Sequence, residues 1–241
     1  MLVLPWLPGY GFSCEPQRTG WGPDRIARVW AEMKGPLGYR YYASQGSHSG
    51  SVVSDVMARQ THHGLLGNHV STPSRVPPEV AKAPNYGDSA PSGLSNPETA
   101  AFAQLAAFYR KCSGYFVMIV PRPQTLWYGL ACSPAGQAAW SYDKFATWTQ
   151  SGAEPERAAP PDDMLDEISL CWFADTANSS GQPHCRNDTK DLNVAGVSIL
   201  VAITVLPSEI YRAAQRLAER SCDKRIYRHG AEQGRHFAPW E

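Results

Sequence analysis

His48, Glu209 and His236 are residues whose types and order along the chain could perform chemistry. A histidine can move protons near neutral pH, and a carboxylate beside it fixes its tautomer and stabilises the imidazolium. His48 stands at the centre of residues 46–50, whose sequence Gly-Ser-His-Ser-Gly has the spacing of a nucleophile elbow, a sharp turn from a strand into a helix. The central residue of such a turn is expected to be Ser, Asp or Cys. The histidine is therefore the feature on which the function depends.

Each of these three residues is predicted to follow the end of a strand. The runs Tyr39–Gln45, Val197–Leu206 and Arg225–His229 predict the strands before the elbow, the acid and the second histidine. Strands that alternate with helices favour a mostly parallel sheet covered on both faces. Elbow, acid and histidine also follow the chain order of the α/β-hydrolases. The sequence therefore predicts an α/β protein with an α/β-hydrolase fold.

Changes in residue composition and in predicted secondary structure along the chain predict three segments. Residues 1–72 are predicted to form the first part of the hydrolase core, 73–190 an inserted helical lid, and 191–241 the second part of the core. A linker rich in Pro, Ser and Gly opens the lid segment, and the helices after it carry many aromatic residues. The remaining predicted elements are strands at Leu2–Leu4 and Leu65–Val70, a helix from Pro23 to about Gly35, one opened by Asn96-Pro97, and helices at Ser133–Thr149, Asp162–Phe173 and Pro207–Ala218.

Composition excludes several classes of function. The 241 residues are 43% hydrophobic and carry a formal net charge of +0, so no electrostatic footprint indicates nucleic acid or an anionic membrane. No apolar run reaches the ~20 residues that would span a bilayer, and the first residues lack the pattern of a secretory signal. The six cysteines include no C-x-x-C pair, which argues against structural zinc and predicts reduced thiols in a cytoplasmic protein. The histidines lack the spacing of a metal site.

Several segments together resemble the microsomal-type epoxide hydrolases in their bacterial form, and the resemblance covers nearly the whole chain. They are Leu-Pro-Gly-Tyr-Gly-Phe-Ser at 7–13, Arg-Pro-Gln-Thr-Leu at 122–126, Ser-Pro-Ala-Gly at 133–136, Lys-Phe at 144–145, Pro-Ser-Glu-Ile at 207–210 and His-Phe-Ala-Pro-Trp-Glu at 236–241. Each is moderately specific, and their common order makes the resemblance strong.

The resemblance implies a mechanism and a set of roles. In the family, an elbow aspartate opens the epoxide to form an ester, a histidine paired with an acid activates the water that hydrolyses it, and two lid tyrosines bind the epoxide oxygen. By position, His236 matches the base, Glu209 its acid and Tyr115 one of the tyrosines. His184 takes the place of the second tyrosine, and Trp172 is one of the lid aromatics that imply an apolar substrate pocket. The structural alternatives are an acid that only starts a helix for Glu209, a loop histidine without a task for His236, and a packing aromatic for Tyr115.

The sequence also departs from the family pattern. His48 replaces the elbow aspartate and cannot form the carboxylate ester. The glycine and the tryptophan that usually flank this aspartate are replaced by Ser47 and Ser49. Arg235 replaces the glycine before the base. The family's N-terminal region, with its loop of backbone oxyanion donors, and the last helix are missing, so a fold truncated at both ends is expected. Such a sheet would lack a middle strand, and the strands beside the gap would either pair directly or leave the fold marginally stable.

Three functions remain open at this point. The first is hydrolysis of an apolar epoxide to a vicinal diol, impaired by His48. The second is a serine esterase, because a register shifted by one residue resembles the G-H-S-x-G elbow of lipases with Ser49 as nucleophile. The third is a non-catalytic remnant that binds an apolar ligand. The expected partner is a small apolar epoxide or ester, no cofactor is implied because the hydrolysis needs only water, and the oligomeric state is not predicted.

Overall fold

The computed structural model describes residues 1–71, 89–177, 179–181, 197–207, 209–210 and 224–238. Within these residues, four strands form one parallel sheet. Its four strands follow one another in the order β1-β2-β3-β4, and each pair of neighbours is parallel. The predicted parallel α/β sheet is therefore confirmed. The strands are β1 (Tyr42–Gly46), β2 (Leu65–Val70), β3 (Leu200–Val205) and β4 (Arg225–Gly230).

Helices fill much of the chain between these strands. They are α1 (Pro23–Glu32), α2 (His48–Gln60), α3 (Asn96–Lys111), α4 (Gly114–Ile119), α5 (Pro123–Ala131), α6 (Pro134–Trp148) and α7 (Pro161–Phe173), with a short 3-10 turn at Pro155–Arg157. The predicted helices that start near Pro23, Asn96 and Ser133 and the one at Asp162–Phe173 are confirmed. The helix predicted at Pro207–Ala218 falls largely outside the described residues. None of the described helices is long and apolar enough to cross a membrane.

The start of α3 differs by one residue from the sequence prediction. Ser95, not Asn96, is the N-cap, and its backbone N–H donates to the Glu98 carboxylate at 2.8 Å. The Ser95 side chain caps the helix in return, which completes a capping box. The three-residue spacing between Ser95 and Glu98 decides the position of the cap, since only a side chain at N3 can reach back to the cap N–H.

Apolar side chains from the sheet and from α3 form one core. Phe102 and Leu105, one helical turn apart on α3, pack against residues of β2 and β3. Each such side chain stabilises the fold by about 1.5–3 kcal/mol when it is fully buried. The buried members of this cluster are Ala58, Val70, Phe102, Leu105, Val197, Val201 and Ile203.

The chain forms two compact units. The sheet unit comprises Pro23–Ser113 and Thr189–His236, and the helical unit comprises Met1–Gly22, Gly114–Asp188 and Phe237–Glu241. The sheet unit includes α3, which the sequence analysis assigned to the lid segment. The predicted boundaries at 72/73 and 190/191 stay a prediction.

The strand predicted at Leu2–Leu4 is wrong. This segment has no strand geometry, and the side chains of Leu2 and Leu4 are 78% and 77% exposed. An apolar run becomes a strand only where another strand pairs with it, and no described strand does so. The sheet also shows no internal gap, since each described strand is hydrogen-bonded to the next.

The turn from β1 into α2 depends on the absence of a side chain at Gly46. A β-carbon there would lie 2.1 Å from the carbonyl oxygen of Gly50, whereas one at Gly50 would meet nothing within 4 Å. The hydroxyl of Ser51 donates to the Gly46 carbonyl at 2.8 Å, and the Ser71 N–H donates to the same oxygen at 3.2 Å. Gly46 is therefore required by close backbone approach, while Gly50 is not.

Gly46→Ala should lower the free energy of unfolding by about 3 kcal/mol, because the new methyl group must displace backbone rather than a side chain. Gly50→Ala is the matched control and should raise it by up to about 1 kcal/mol, since alanine favours the helix. Urea unfolding followed by tryptophan fluorescence measures both. Equal stability of the two variants would contradict the close contact.

Stability should also fall below about pH 6.5 because of His69 on β2. Burial lowers the pKa of His69, whose Nε2 lies 3.0 Å from the Thr204 hydroxyl on β3. The unfolded chain then binds the proton first, so the free energy of unfolding decreases as pH falls through this range. His69→Asn should flatten the pH dependence measured by urea unfolding, and His63→Asn, at an exposed position, serves as the control.

Candidate active site

His48 occupies the strained position of the turn between β1 and α2. Its φ of 46° lies in the left-handed region, which a non-glycine residue adopts at a cost of about 1–2 kcal/mol. Ser47 precedes it in extended conformation as the N-cap of α2. Ser49 lies in the first turn of the helix and is half-buried. The strained backbone of an elbow thus falls on residue 48, the register that the sequence analysis favoured.

His48 contacts a buried histidine that follows β4. Its Nδ1 lies 2.6 Å from Nε2 of His236, and the two rings meet edge to face at 82°. His48 is an exposed residue, whereas His236 is only 3% exposed. One end of this pair therefore faces solvent while the other lies inside the protein.

Glu209 holds the other side of His236. Its Oε1 accepts a hydrogen bond from Nδ1 of His236, and Glu209 is 1% exposed. The Ile210 N–H donates to the same oxygen at 2.8 Å, and Nε2 of Gln104 donates to the Glu209 backbone carbonyl at 2.7 Å. The backbone and the carboxylate of Glu209 are thus both held by hydrogen bonds.

The sheet explains why these three residues meet. They follow β1, β3 and β4, and the carboxyl ends of parallel strands lie at one edge of a sheet. A hydrogen bond from the Ala231 N–H to the Val205 carbonyl, at 3.0 Å, carries the ladder beyond β4. Gly234, with φ of 106°, then turns the chain toward His236.

With the Glu209 carboxylate ionised and both imidazole rings neutral, the hydrogen-bond partners allow one set of tautomers. An ionised carboxylate only accepts, so Nδ1 of His236 carries a proton and its Nε2, in the neutral ring, accepts. Nδ1 of His48 must then donate, and the lone pair of His48 is on Nε2. The arrangement is a relay in which a proton on His48 can pass to His236 while Glu209 stabilises the imidazolium that forms.

The predicted substrate-binding residues lie elsewhere in the chain. Tyr115, on α4 of the helical unit, is half-buried, with its ring 5.3 Å from that of Trp148 and the Lys144 ammonium 4.7 Å above it. Trp172 is half-buried on α7 of the same unit. His184 lies outside the described residues.

Gln104 is the contributor that the sequence analysis missed. It lies on α3 and orients Glu209 from another element of the sheet unit. No motif marks it, because an amide in a helix surrounded by alanines has the sequence signal of any solvent-facing residue. Only the packing of α3 reveals its role.

Strand, elbow and helix, followed by an acid and a histidine after later strands, are the arrangement of an α/β-hydrolase fold, and comparison with solved structures agrees on the fold. The juvenile hormone epoxide hydrolase of the silkworm Bombyx mori superposes with a TM-score of 0.85 at 23% identity over 98% of this chain and 59% of that one. The Aspergillus niger epoxide hydrolase gives 0.77 at 23% identity, over 98% and 58%. The predicted fold class is confirmed.

Comparison with known sequences shows which proteins with this fold the chain is similar to. The chain is 41% identical over 240 residues to a protein of Stigmatella aurantiaca named "Putative epoxide hydrolase", covering 100% of this chain and 52% of that protein. It is 26% identical over 257 residues to the juvenile hormone epoxide hydrolase of Bombyx mori, covering 100% and 55%. No family model matches the sequence.

The predicted resemblance is thus confirmed: over its whole length the chain is similar in sequence to epoxide hydrolases. It spans about half the length of the curated relatives that it matches.

The contact between His236 and Glu209 should appear as a coupling energy. His236→Ala leaves a buried carboxylate without its histidine and should cost about 3–5 kcal/mol of unfolding free energy. Adding Glu209→Ala removes the buried charge. The loss of unfolding free energy in the double variant should therefore be smaller, by about 1–3 kcal/mol, than the sum of the losses in the two single variants. Urea unfolding of the four proteins measures this cycle.

The neutral pair His69–Thr204, joined by one hydrogen bond, provides the control cycle and should show the smaller coupling. Additive losses at His236 and Glu209, within about 0.5 kcal/mol, would contradict the buried pair.

Proposed function

We propose that this chain acts on a small apolar epoxide, which it would hydrolyse to a vicinal diol, and that the reaction is impaired at its first step. The observation that carries the proposal is the imidazole of His48 at the strained elbow position, 2.6 Å from the base His236. The names of the relatives support the reaction class.

The contacts of His236 and Glu209 support the second half of such a reaction. His236 is buried, oriented by Glu209 and suited to take a proton from water. The carboxylate is itself fixed by Ile210 and Gln104, which keeps the imidazole in one tautomer and orientation. Hydrolysis of an ester intermediate would therefore find its general base.

The first half lacks its nucleophile. A carboxylate that opens an epoxide forms an ester, which water can cleave at the acyl carbon. An imidazole that opens an epoxide forms an N-alkyl bond, which has no acyl carbon for water to attack. With His48 at the elbow, ring opening by the protein would end in a stable adduct instead of turnover.

Tyr115 is proposed to donate its phenolic hydrogen to the epoxide oxygen, as the resemblance implies. The contacts of its ring with Trp148 and Lys144 support a fixed orientation within the helical unit. Trp172, half-buried on α7, would contribute apolar surface for the substrate.

His48→Asp should restore diol formation from an aryl epoxide such as styrene oxide, by at least about 10²-fold over the unmodified chain, because it supplies the ester-forming group. Aspartate also tolerates the left-handed conformation of residue 48, so the fold should persist. The matched control is His63→Asp, at another exposed histidine, which should change nothing. Diol is measured by chromatography, and urea unfolding confirms that each variant is folded.

Two outcomes would overturn the proposal. Turnover of the epoxide by the unmodified chain at about 1 s⁻¹ or faster would contradict impairment. Binding of the epoxide without turnover by folded His48→Asp would instead favour a non-catalytic remnant that binds apolar ligands.

A further inference from the structure

We infer that His48 is itself a nucleophile toward activated acyl groups, so that this chain hydrolyses aryl esters through an acyl-imidazole intermediate. The inference goes beyond epoxide chemistry and does not depend on it. It stands on the relay His48–His236–Glu209, on the exposed position of His48 and on the difference between an acylated and an alkylated imidazole.

The relay gives His48 both properties that a nucleophile needs. Its lone pair is on Nε2, because Nδ1 donates to His236. Its Nδ1 proton has an acceptor 2.6 Å away, and the charge that this transfer creates on His236 lies beside the Glu209 carboxylate. Histidine forms covalent intermediates in enzymes when a neighbouring base activates it in this way.

Acylation of His48 balances without any further reactant. Nε2 of His48 attacks the carbonyl carbon of the ester, and the aryloxide leaves with the electron pair of the C–O bond. The proton on Nδ1 of His48 passes to Nε2 of His236. The products are a neutral acyl-imidazole, an aryloxide anion and an imidazolium at His236.

Deacylation requires only water. A water molecule attacks the acyl carbon and releases one proton to solvent, the C–N bond breaks, and Nδ1 of His48 takes back its proton from His236. The carboxylic acid then ionises. In sum, one ester and one water give a carboxylate, an aryloxide and two protons, and both histidines return to their starting state.

An acylated and an alkylated His48 differ in how they react with water. An acyl-imidazole keeps an electrophilic carbon and a good leaving group, so water cleaves it, whereas the N-alkyl product of an epoxide has neither. The same side chain would thus turn over aryl esters and be consumed by epoxides. Substrates with poor leaving groups, such as alkyl esters, are excluded because the attacking imidazole leaves the tetrahedral intermediate more readily than an alkoxide does.

His62 and His69 have hydrogen-bond partners of a different kind. His62 and His69 hydrogen-bond the amide of Gln60 and the hydroxyl of Thr204, neutral groups that do not accept a proton. Burial lowers the pKa of both rings. His48 is therefore the histidine to which the structure assigns the activity.

Hydrolysis of p-nitrophenyl acetate by the purified 241-residue chain tests the inference. His48→Asn is the main variant, since asparagine tolerates the left-handed backbone and retains a hydrogen-bond donor but has no nucleophilic nitrogen. Its rate should be lower by at least about 10²-fold, and that of His236→Asn should fall by a similar factor because the proton acceptor is lost. The matched control His63→Asn should keep the rate of the unmodified chain.

Mass spectrometry after acid quench should find one acetyl group, on the peptide that contains His48, and hydroxylamine should remove it. Equal rates for folded His48→Asn and His63→Asn would overturn the inference. So would an acetyl group on Ser49 together with loss of activity in Ser49→Ala, which would show a serine esterase. These outcomes concern esters alone, so they do not depend on the result with epoxides.

Discussion

A carboxylate inside a protein is costly unless a partner compensates its charge, and this constraint organises the sheet unit. Glu209 is 1% exposed and hydrogen-bonded to His236 and to the Ile210 N–H. Removing either partner would leave several kcal/mol of desolvation uncompensated. The ends of β3 and β4 must therefore stay in register, and α3 must stay packed where Gln104 reaches the Glu209 carbonyl.

The buried pair also defines what can happen at the exposed end of the relay. The buried Glu209 carboxylate fixes the orientation of the His236 ring. The ring therefore presents its Nε2 to the residue that follows β1. In the proposed relay, the imidazole of His48 extends the chain of proton transfers by one ring. Under the proposed function, a histidine at position 48 would change the kind of chemistry, while the contact between His236 and Glu209 would be unaffected.

Local patterns in the sequence were sufficient to predict the strands, most of the helices and the order of the site residues. The β-branched run of β3, the glycines around His48 and the proline that opens α3 each act within a few residues, where propensity dominates. Predictions failed where a distant partner decides. Leu2–Leu4 reads as a strand but has no described partner, and Gln104 carries no local signal of its role. The sequence predicted that His48 and His236 each follow a strand, but only the structure reveals their direct contact.

The separation of the relay residues along the chain has a consequence for folding. His48 and His236 are 188 residues apart in sequence, and they follow β1 and β4, the first and last strands in the order of the sheet. Contacts between such distant residues carry a large loop-closure entropy and form late in folding. A partly folded chain therefore has separated imidazoles with no shared proton path. The proposed proton relay can therefore operate only in the folded chain.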